Sequence, residues 1–315
     1  MLAVRVLEKR DAAIDVLSLV LVAADGGSLP SCSAGAHIDI TLPNGMVRQY
    51  SLCKAGAAYE VAILRDPDGR GGSECAHRDI QVGDTLTISH PRNLFPLVPA
   101  TNSILFAGGI GITPILAMAE ALHAQGQTFE MHYCSRAPER AAYRDALGQA
   151  AYAGQVRFYY DSEPEQGRLD VAAVLGALGD DAHLYVCGPA GFIAHVCDAA
   201  RAAGWSDSRV HFEHFAAPVA VAPVGGNGDF ELVLARRGIR IPVGADQTAA
   251  QALLDHGIDI PLSCEQGVCG SCLLPVLEGI PEHRDVFLSA AERDCNRCFT
   301  PCCSRARTPS LLIDL

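Results

Sequence analysis

Residues 264–272 read Cys-Glu-Gln-Gly-Val-Cys-Gly-Ser-Cys. The spacing C-x4-C-x2-C puts Cys264, Cys269 and Cys272 in one short loop, and Cys302 followed by Cys303 stands well downstream. Three cysteines so spaced, with a distant fourth, form the ligand pattern of a plant-type [2Fe–2S] centre. Four thiolates must converge on two irons, so a loop supplying three of them has to wrap tightly. Gly267 and Gly270 allow that, because glycine accepts positive φ without a Cβ clash. Cys302 is the expected fourth ligand, with Cys303 as its competitor. A rival grouping, Cys269-x2-Cys272 with Cys295-x2-Cys298, has the form of a four-cysteine zinc site. It strands Cys264 and ignores the two glycines, so iron–sulfur chemistry explains more of the residues. Cys295 and Cys298 have no role under it.

A chain of 315 residues suggests two or three domains, each able to bury a core. Arg5, Glu8, Lys9, Arg10, Asp11 and Asp15 precede the first long apolar run, and such mixed charge argues against a secretory signal. That run is too short to span a bilayer, so no membrane partner is expected. Thirteen cysteines without an export signal point to a reducing cytoplasm rather than a disulfide framework. A net charge of −12 and the lack of any basic tract argue against nucleic acid.

Six short apolar or alternating stretches, at 4–7, 14–23, 37–42, 47–53, 59–64 and 85–90, are separated by turn sequences such as Pro43-Asn44-Gly45. They predict a small antiparallel barrel. Two features there look chemical. Arg48, Tyr50 and Ser51 share one strand. Gly69-Arg70-Gly71-Gly72-Ser73 enters a short helix and offers backbone N–H groups to a phosphate, with Arg48 or Arg70 adding charge. Two prolines in 91–97 make a rigid connector, and a boundary near residue 99 follows.

From Ser103 the pattern becomes strand, turn, helix. Ile104–Ala107 runs into Gly108-Gly109-Ile110-Gly111-Ile112-Thr113-Pro114, and Pro114 suits a first helical position. A pyrophosphate at that helix terminus is the implied ligand, although this is not the G-x-G-x-x-G fingerprint. Further alternation, including a helix over 139–151, gives a parallel sheet. Ligands are expected at its strand ends, which carry Gly108 and Gly109, Ser135 and Arg136, Asp161, and Cys187-Gly188-Pro189. Residues 216–228, rich in Ala, Pro, Val and Gly, read as a linker. From Asp229 a strand pair, a helix capped by Thr248 and ended by Gly257, the cysteine loop and a closing strand over 311–315 make a β-grasp module.

In this order, the motifs resemble those of the phthalate dioxygenase reductase family, which includes vanillate demethylase reductases. The likeness covers the whole chain. It rests on Arg48-x-Tyr50-Ser51-Leu52, Gly69 to Ser73, Pro91-Arg92-Asn93-x-Phe95-Pro96-Leu97, Ala107 to Pro114, Cys187-Gly188-Pro189, the three-cysteine loop and Pro301-Cys302-Cys303-Ser304-Arg305. The resemblance implies a multidomain chain: an antiparallel β-barrel binding FMN at 1–98, an α/β parallel-sheet domain binding NADH at 99–216, a linker at 217–228 and an α+β ferredoxin domain at 229–315. By this likeness Arg48, Tyr50 and Ser51 hold the flavin, and Gly71, Gly72 and Ser73 hold its phosphate. Ile63, Leu64 and Arg65 lie along the ring, Thr113 reaches it, and Phe215 shields the face where nicotinamide enters. Cys187 lies near the hydride path, and the family's Cys-x-Ser-Arg pattern favours Cys302 over Cys303.

The implied activity is electron transfer from NADH through FMN and the cluster, one electron at a time, to a Rieske-type oxygenase, with the chain acting as a monomer. No general base is required, so Cys187, Thr113 and Phe215 are positioning groups. Asp161 would repel a 2′-phosphate and favours NADH over NADPH, while Arg136 and Arg168 act against it. The alternatives are an FAD-containing electron-transfer subunit of another redox complex and a non-enzymatic zinc module.

Overall fold

The computed structural model describes residues 1–176, 181–215 and 227–315. The chain divides into two compact units, Met1–Phe215 and Ala216–Leu315. Of the expected linker, only residues 227 and 228 fall among the described residues.

In the first unit six antiparallel strands close into a barrel: β1 (Leu2–Ala13), β2 (Val16–Ala23), β3 (Ala36–Thr41), β4 (Val47–Ala55), β5 (Tyr59–Leu64) and β6 (Thr85–Ile88). Their order is β4-β5-β2-β1-β6-β3, and β3 pairs back onto β4, so the barrel has no open edge. Leu17, Leu19, Leu21, Ile38, Ile40, Val61 and Ile63 fill its inside. β2 reads as an unbroken apolar run because its other face is covered too. Val16 joins a second core, and the buried Ser18 donates to Glu60 Oε1 at 2.8 Å. The sequence shows β1 only over its first residues. Bulges at Val6/Glu8 and Asp11/Ala13 carry it on through a charged stretch whose alternation they interrupt. Helix α1 (Gly72–Asp79) packs across the barrel, and the short β7 (Arg92–Asn93) pairs with β3.

The parallel sheet of the same unit contains β8 (Asn102–Gly108), β9 (Thr128–Ser135), β10 (Val156–Tyr160), β11 (Ala182–Cys187) and β12 (Val210–Glu213), in the order β10-β9-β8-β11-β12. The chain builds outward from β8 to one side, then returns to build on the other. The direction therefore reverses between β8 and β11, where open α/β sheets place their ligands. Helices α2 (Ile112–Ala124), α3 (Arg144–Gln149), α4 (Val171–Gly176) and α5 (Ala190–Ala202) connect the strands. The helix expected over 139–151 is not continuous. It splits into a 3-10 turn at Pro138–Arg140 and α3, with Tyr143 at φ 61 between them. Ala141, Ala142 and Tyr143 are all buried, and three consecutive inward side chains do not fit one helical face.

The second unit has a sheet ordered β14-β13-β19-β15-β17 from β13 (Phe230–Leu234), β14 (Ile239–Val243), β15 (Leu274–Glu278), β17 (Cys298–Phe299) and β19 (Ser310–Ile313). Helix α6 (Ala249–Asp255) covers it with Ala249, Ala252 and Leu253, and Thr248 Oγ1 caps the helix by accepting from Gln251 N at 3.1 Å. β16 (Pro281–Glu282) pairs with β18 (Arg305–Ala306), and helix α7 (Ala290–Cys295) lies between β16 and β17. The sequence reading missed α7, although Ser289 and Glu292 form a complete capping box.

Buried Arg305 ties this unit's ends together. Its guanidinium donates to Gln247 O at 2.7 Å and to Gly228 O and Gly244 O at 2.9 Å, and sits 5.1 Å over the Phe230 ring. Arg305→Ala leaves three carbonyls without their donor and is expected to cost about 3 kcal/mol. Denaturant unfolding followed through the second unit checks this, and a loss below about 1 kcal/mol contradicts it.

Candidate redox and nucleotide sites

The cysteine loop runs from α6 to β15. Gly267 and Gly270 take φ of 74° and 66°. A Cβ at Gly267 would fall 2.5 Å from Cys303 Sγ, and one at Gly270 would enter the Phe287 ring. The chain thus leaves no room for side chains where it folds round the sulfurs. Backbone N–H groups of Gln266 and Ser271 donate to Cys264 Sγ and Cys269 Sγ, both at 3.4 Å, which favours the thiolate form. Among the described residues, no three His, Cys, Asp or Glu side chains meet at one ion-sized point. Electrostatically the thiols act on one another, Cys264 with Cys269 within the loop, and Cys302 with both Cys272 and Cys303. Hydrogen bonding from Cys264 holds the Cys269 thiol down to about 5. A tight glycine loop that holds three cysteines, with backbone N–H groups on two of their sulfurs, fits a [2Fe–2S] core. The zinc set is not assembled: Cys295 is exposed at the end of α7, and Cys298 sits on β17 opposite Pro275.

On the barrel, Arg48 lies against the start of α1, where a Cβ on Gly72 would be 2.9 Å from Arg48 Nε. A guanidinium at a helix N-terminus is a fit for one phosphate. Ser73 Oγ accepts from Asp66 N at 3.0 Å, and Arg70 is exposed. Tyr50 is half-buried, and burial pushes its phenol up to about 12. Ile63 points into the barrel core, Leu64 is exposed, and Arg65 pairs with Glu74 at 2.7 Å. Of these three, only Leu64 presents an unpaired side chain to solvent.

At the sheet edge, Gly108, Gly111, Gly188 and Pro189 crowd together. A Cβ at Gly111 would overlap the Cys187 carbonyl, and one at Gly108 would be 3.0 Å from Pro189 Cδ. Thr113, buried beside Pro114 in the first turn of α2, donates to Ile110 O at 3.1 Å. Two strands away, Asp161 N donates to Ser135 O at 3.1 Å and Ser162 N to Arg136 O at 2.9 Å, so these residues share one corner. Cys187 is fully buried and its thiol is pushed well above the usual range, so it stays neutral. Phe215 follows β12 and is 38% exposed.

Sequence reasoning missed Glu213. It stands opposite Cys187 in the β11–β12 register, and its Oε2 accepts from Ser51 Oγ at 3.4 Å. Desolvation raises its carboxyl from 4.5 to about 8. No spacing signal marks a single Glu in a strand. Only the fold brings it to Ser51.

The 2Fe-2S iron-sulfur cluster binding domain family matches residues 232–307, and the oxidoreductase NAD-binding domain family matches 105–198. Vanillate O-demethylase oxidoreductase of Pseudomonas sp. is 49% identical, over 100% of both chains. Phthalate dioxygenase reductase, described as a modular structure for electron transfer from pyridine nucleotides to [2Fe-2S], superposes with a TM-score of 0.77 at 35% identity, covering 100% of this chain and 98% of that one. An intact type IV self-sufficient cytochrome P450 monooxygenase superposes with a TM-score of 0.86 at 37% identity; this chain spans 41% of its length. Among the described residues no helix is long and apolar enough to cross a membrane. With near half its residues shared end to end with such a reductase, the chain belongs to the phthalate dioxygenase reductase family and is a pyridine-nucleotide oxidoreductase with a [2Fe–2S] domain.

Proposed function

We propose that the chain is the NADH-dependent reductase of an oxygenase system, with FMN on the barrel, NADH at the sheet edge and the cluster on Cys264, Cys269, Cys272 and Cys302. When bound, FMN would turn the paired electrons of NADH into single electrons for the cluster and for a Rieske-type oxygenase beyond it. The observation that carries this reading is the meeting of Ser51 on β4 with Glu213 on β12, beside Cys187. It puts the barrel strand bearing Arg48, Tyr50 and Ser51 against the strand ends suited to a nucleotide.

Arg48 and the first turn of α1 hold one phosphate, aided by Gly71, Gly72 and Ser73, and a cradle of that size favours FMN over FAD. Arg70 adds charge at its rim. Tyr50 and Leu64 flank the ring, and the backbone of Ile63 and Arg65 borders it. The exposed Phe215 would cover the remaining face of the ring. Gly108, Gly109, Gly111, Gly188 and Pro189 let the pyrophosphate approach the backbone, and Ser135, Arg136 and Asp161 take the adenosine end. Thr113 and the neutral Cys187 orient the two rings. In this scheme segments 1–98, 99–216 and 229–315 carry flavin, nucleotide and cluster, joined by 217–228.

Anaerobic mixing with NADH should bleach flavin absorbance before cluster absorbance, and acid should release FMN. Cluster bleaching without flavin involvement, or release of FAD, would refute the order or the cofactor. Asp161→Ala should narrow the preference for NADH over NADPH about tenfold, or ~1.4 kcal/mol, in kcat/KM; an unchanged ratio removes Asp161 from the site.

Glu213 carries a pH signature. Its folded carboxyl holds the proton more tightly than the unfolded one, so folding stability falls as pH rises from 4.5 to about 8 and levels off above that. Glu213→Gln removes this loss. The variant should therefore gain on the wild type steadily across that window in denaturant unfolding, and a pH-independent difference would contradict the assignment.

A further inference from the structure

Helix α1 has only eight residues, and Glu74, Arg78 and Asp79 among them are charged. A helix that short is marginal in water by itself. Gly71 precedes it in a left-handed conformation, and no side chain caps its first N–H groups. Those groups suit a phosphate, but only if the helix axis is held still. The far end of the helix supplies that hold. Ile80 closes it in an extended conformation rather than on a left-handed glycine, so the last carbonyls need donors from outside. The Lys9 ammonium donates to His77 O at 2.8 Å and to Ile80 O at 2.6 Å, and Gln81 Nε2 donates to Arg78 O at 3.2 Å. A cation there also complements the negative end of the helix. His77 Nε2 lies 2.9 Å from Ile63 O on β5, and because a carbonyl only accepts, that nitrogen carries the hydrogen.

Lys9 is in reach because β1 is bulged. Val4 and Val6 belong to the barrel core, and simple alternation would turn Glu8 inward after them. Between Val6 and Glu8 the register slips, and Lys9 comes opposite Leu19, a residue of the inner face. Glu8 is left exposed, and Lys9 is half-buried. The exchange matters chemically. An ammonium has three hydrogens to give and a carboxylate has none, so only the lysine can hold two carbonyls.

We propose that Lys9 is a positioning residue for the flavin phosphate: by clamping the C-terminal end of α1 to β1, it fixes where the first-turn N–H groups and Arg48 meet that phosphate. The proposal rests on the assignment of the first turn of α1 to the FMN phosphate. Lys9 itself touches no phosphate oxygen, since the helix puts about 12 Å between its two ends at 1.5 Å per residue. Its effect therefore falls on the phosphate through the helix and leaves the ring contacts alone.

The test uses the full chain reconstituted with FMN or with riboflavin, which has the same ring and no phosphate, and reads each affinity by quenching of flavin fluorescence. The wild type should prefer FMN. Lys9→Met, which keeps the apolar stem and removes the donors, should weaken FMN about tenfold and leave riboflavin binding unchanged. Lys9→Arg, whose guanidinium can donate to both carbonyls, should restore most of the preference. Equal weakening of both flavins in Lys9→Met, or an unchanged preference for FMN, overturns this inference and leaves the phosphate site standing. If Lys9→Met does not fold, Lys9→Gln, which keeps an amide donor without the charge, takes its place; failure of that variant to fold as well makes Lys9 purely structural and overturns the inference. A wild type that binds riboflavin as tightly as FMN defeats the phosphate site itself.

Discussion

At Gly111 a Cβ would run into the carbonyl of Cys187, at Gly72 it would crowd Arg48 Nε, and at Gly267 it would stand 2.5 Å from Cys303 Sγ. Each candidate site is built where backbone approaches other atoms more closely than any side chain allows. The reason is shared: phosphates and the sulfurs of iron–sulfur ligands accept hydrogen bonds from main-chain N–H groups, and glycine lets the backbone fold closely enough to present them. Glycine in such places costs conformational entropy on folding, roughly 0.5–1 kcal/mol each relative to alanine. That cost is offset by packing around it rather than by the loop itself. At Gly270 the neighbour is the Phe287 ring, and at Gly108 it is Pro189 and Phe192.

Packing of the same kind relates barrel to sheet in the first unit. Val16, Cys53 and Ala62 on the outside of the barrel share one core with Ile112, Ile115, Leu116 and Tyr133 of the nucleotide fold. Tyr143 reaches in from the break before α3, its hydroxyl 3.5 Å from Cys53 Sγ. Strand β4 is therefore held against the start of α2 by apolar contact on its Cys53 side, while Ser51, two residues back, reaches Glu213. A change at Cys53 or Tyr143 would disturb the strand that carries Arg48, Tyr50 and Ser51 without touching those residues. Core packing transmits such shifts because it has few voids to absorb them.

Much of this was legible in the sequence. β10 and β13 follow from apolar runs bounded by turn residues, and α6 from its Thr248 cap and Gly257. The cysteine spacing, the glycine turn before α2 and the Gly71-Gly72-Ser73 entry to α1 each mark themselves by residue type at short range. What escaped has no short-range mark. The helix over 139–151 looks continuous by composition, and only the inward demand on Tyr143 breaks it. β1 runs through charged residues because bulges reset its register. Glu213 meets Ser51 across 162 positions, and Asp285 meets Ser304 across 19. Such pairs are made by topology, and a single sequence does not display them. Ile63, placed along the ring by the family likeness, has its side chain in the barrel core, so it would border a ring through its backbone.

Thirteen thiols in one chain raise the question of what sets the cysteine loop apart from the rest. Desolvation answers for several. Cys53 and Cys134 are pushed up to about 12, and Cys187 well above its usual range, so none offers a thiolate near neutral pH. A buried thiol whose desolvation outweighs its hydrogen bonds keeps its proton and behaves as a small apolar side chain. The loop thiols differ in their surroundings, not their chemistry: Cys264 and Cys269 each receive a backbone N–H, and Gly267 and Gly270 keep the space before them clear. Moving a cysteine by one position in this loop would therefore take its sulfur away from those N–H groups even though a thiol remained.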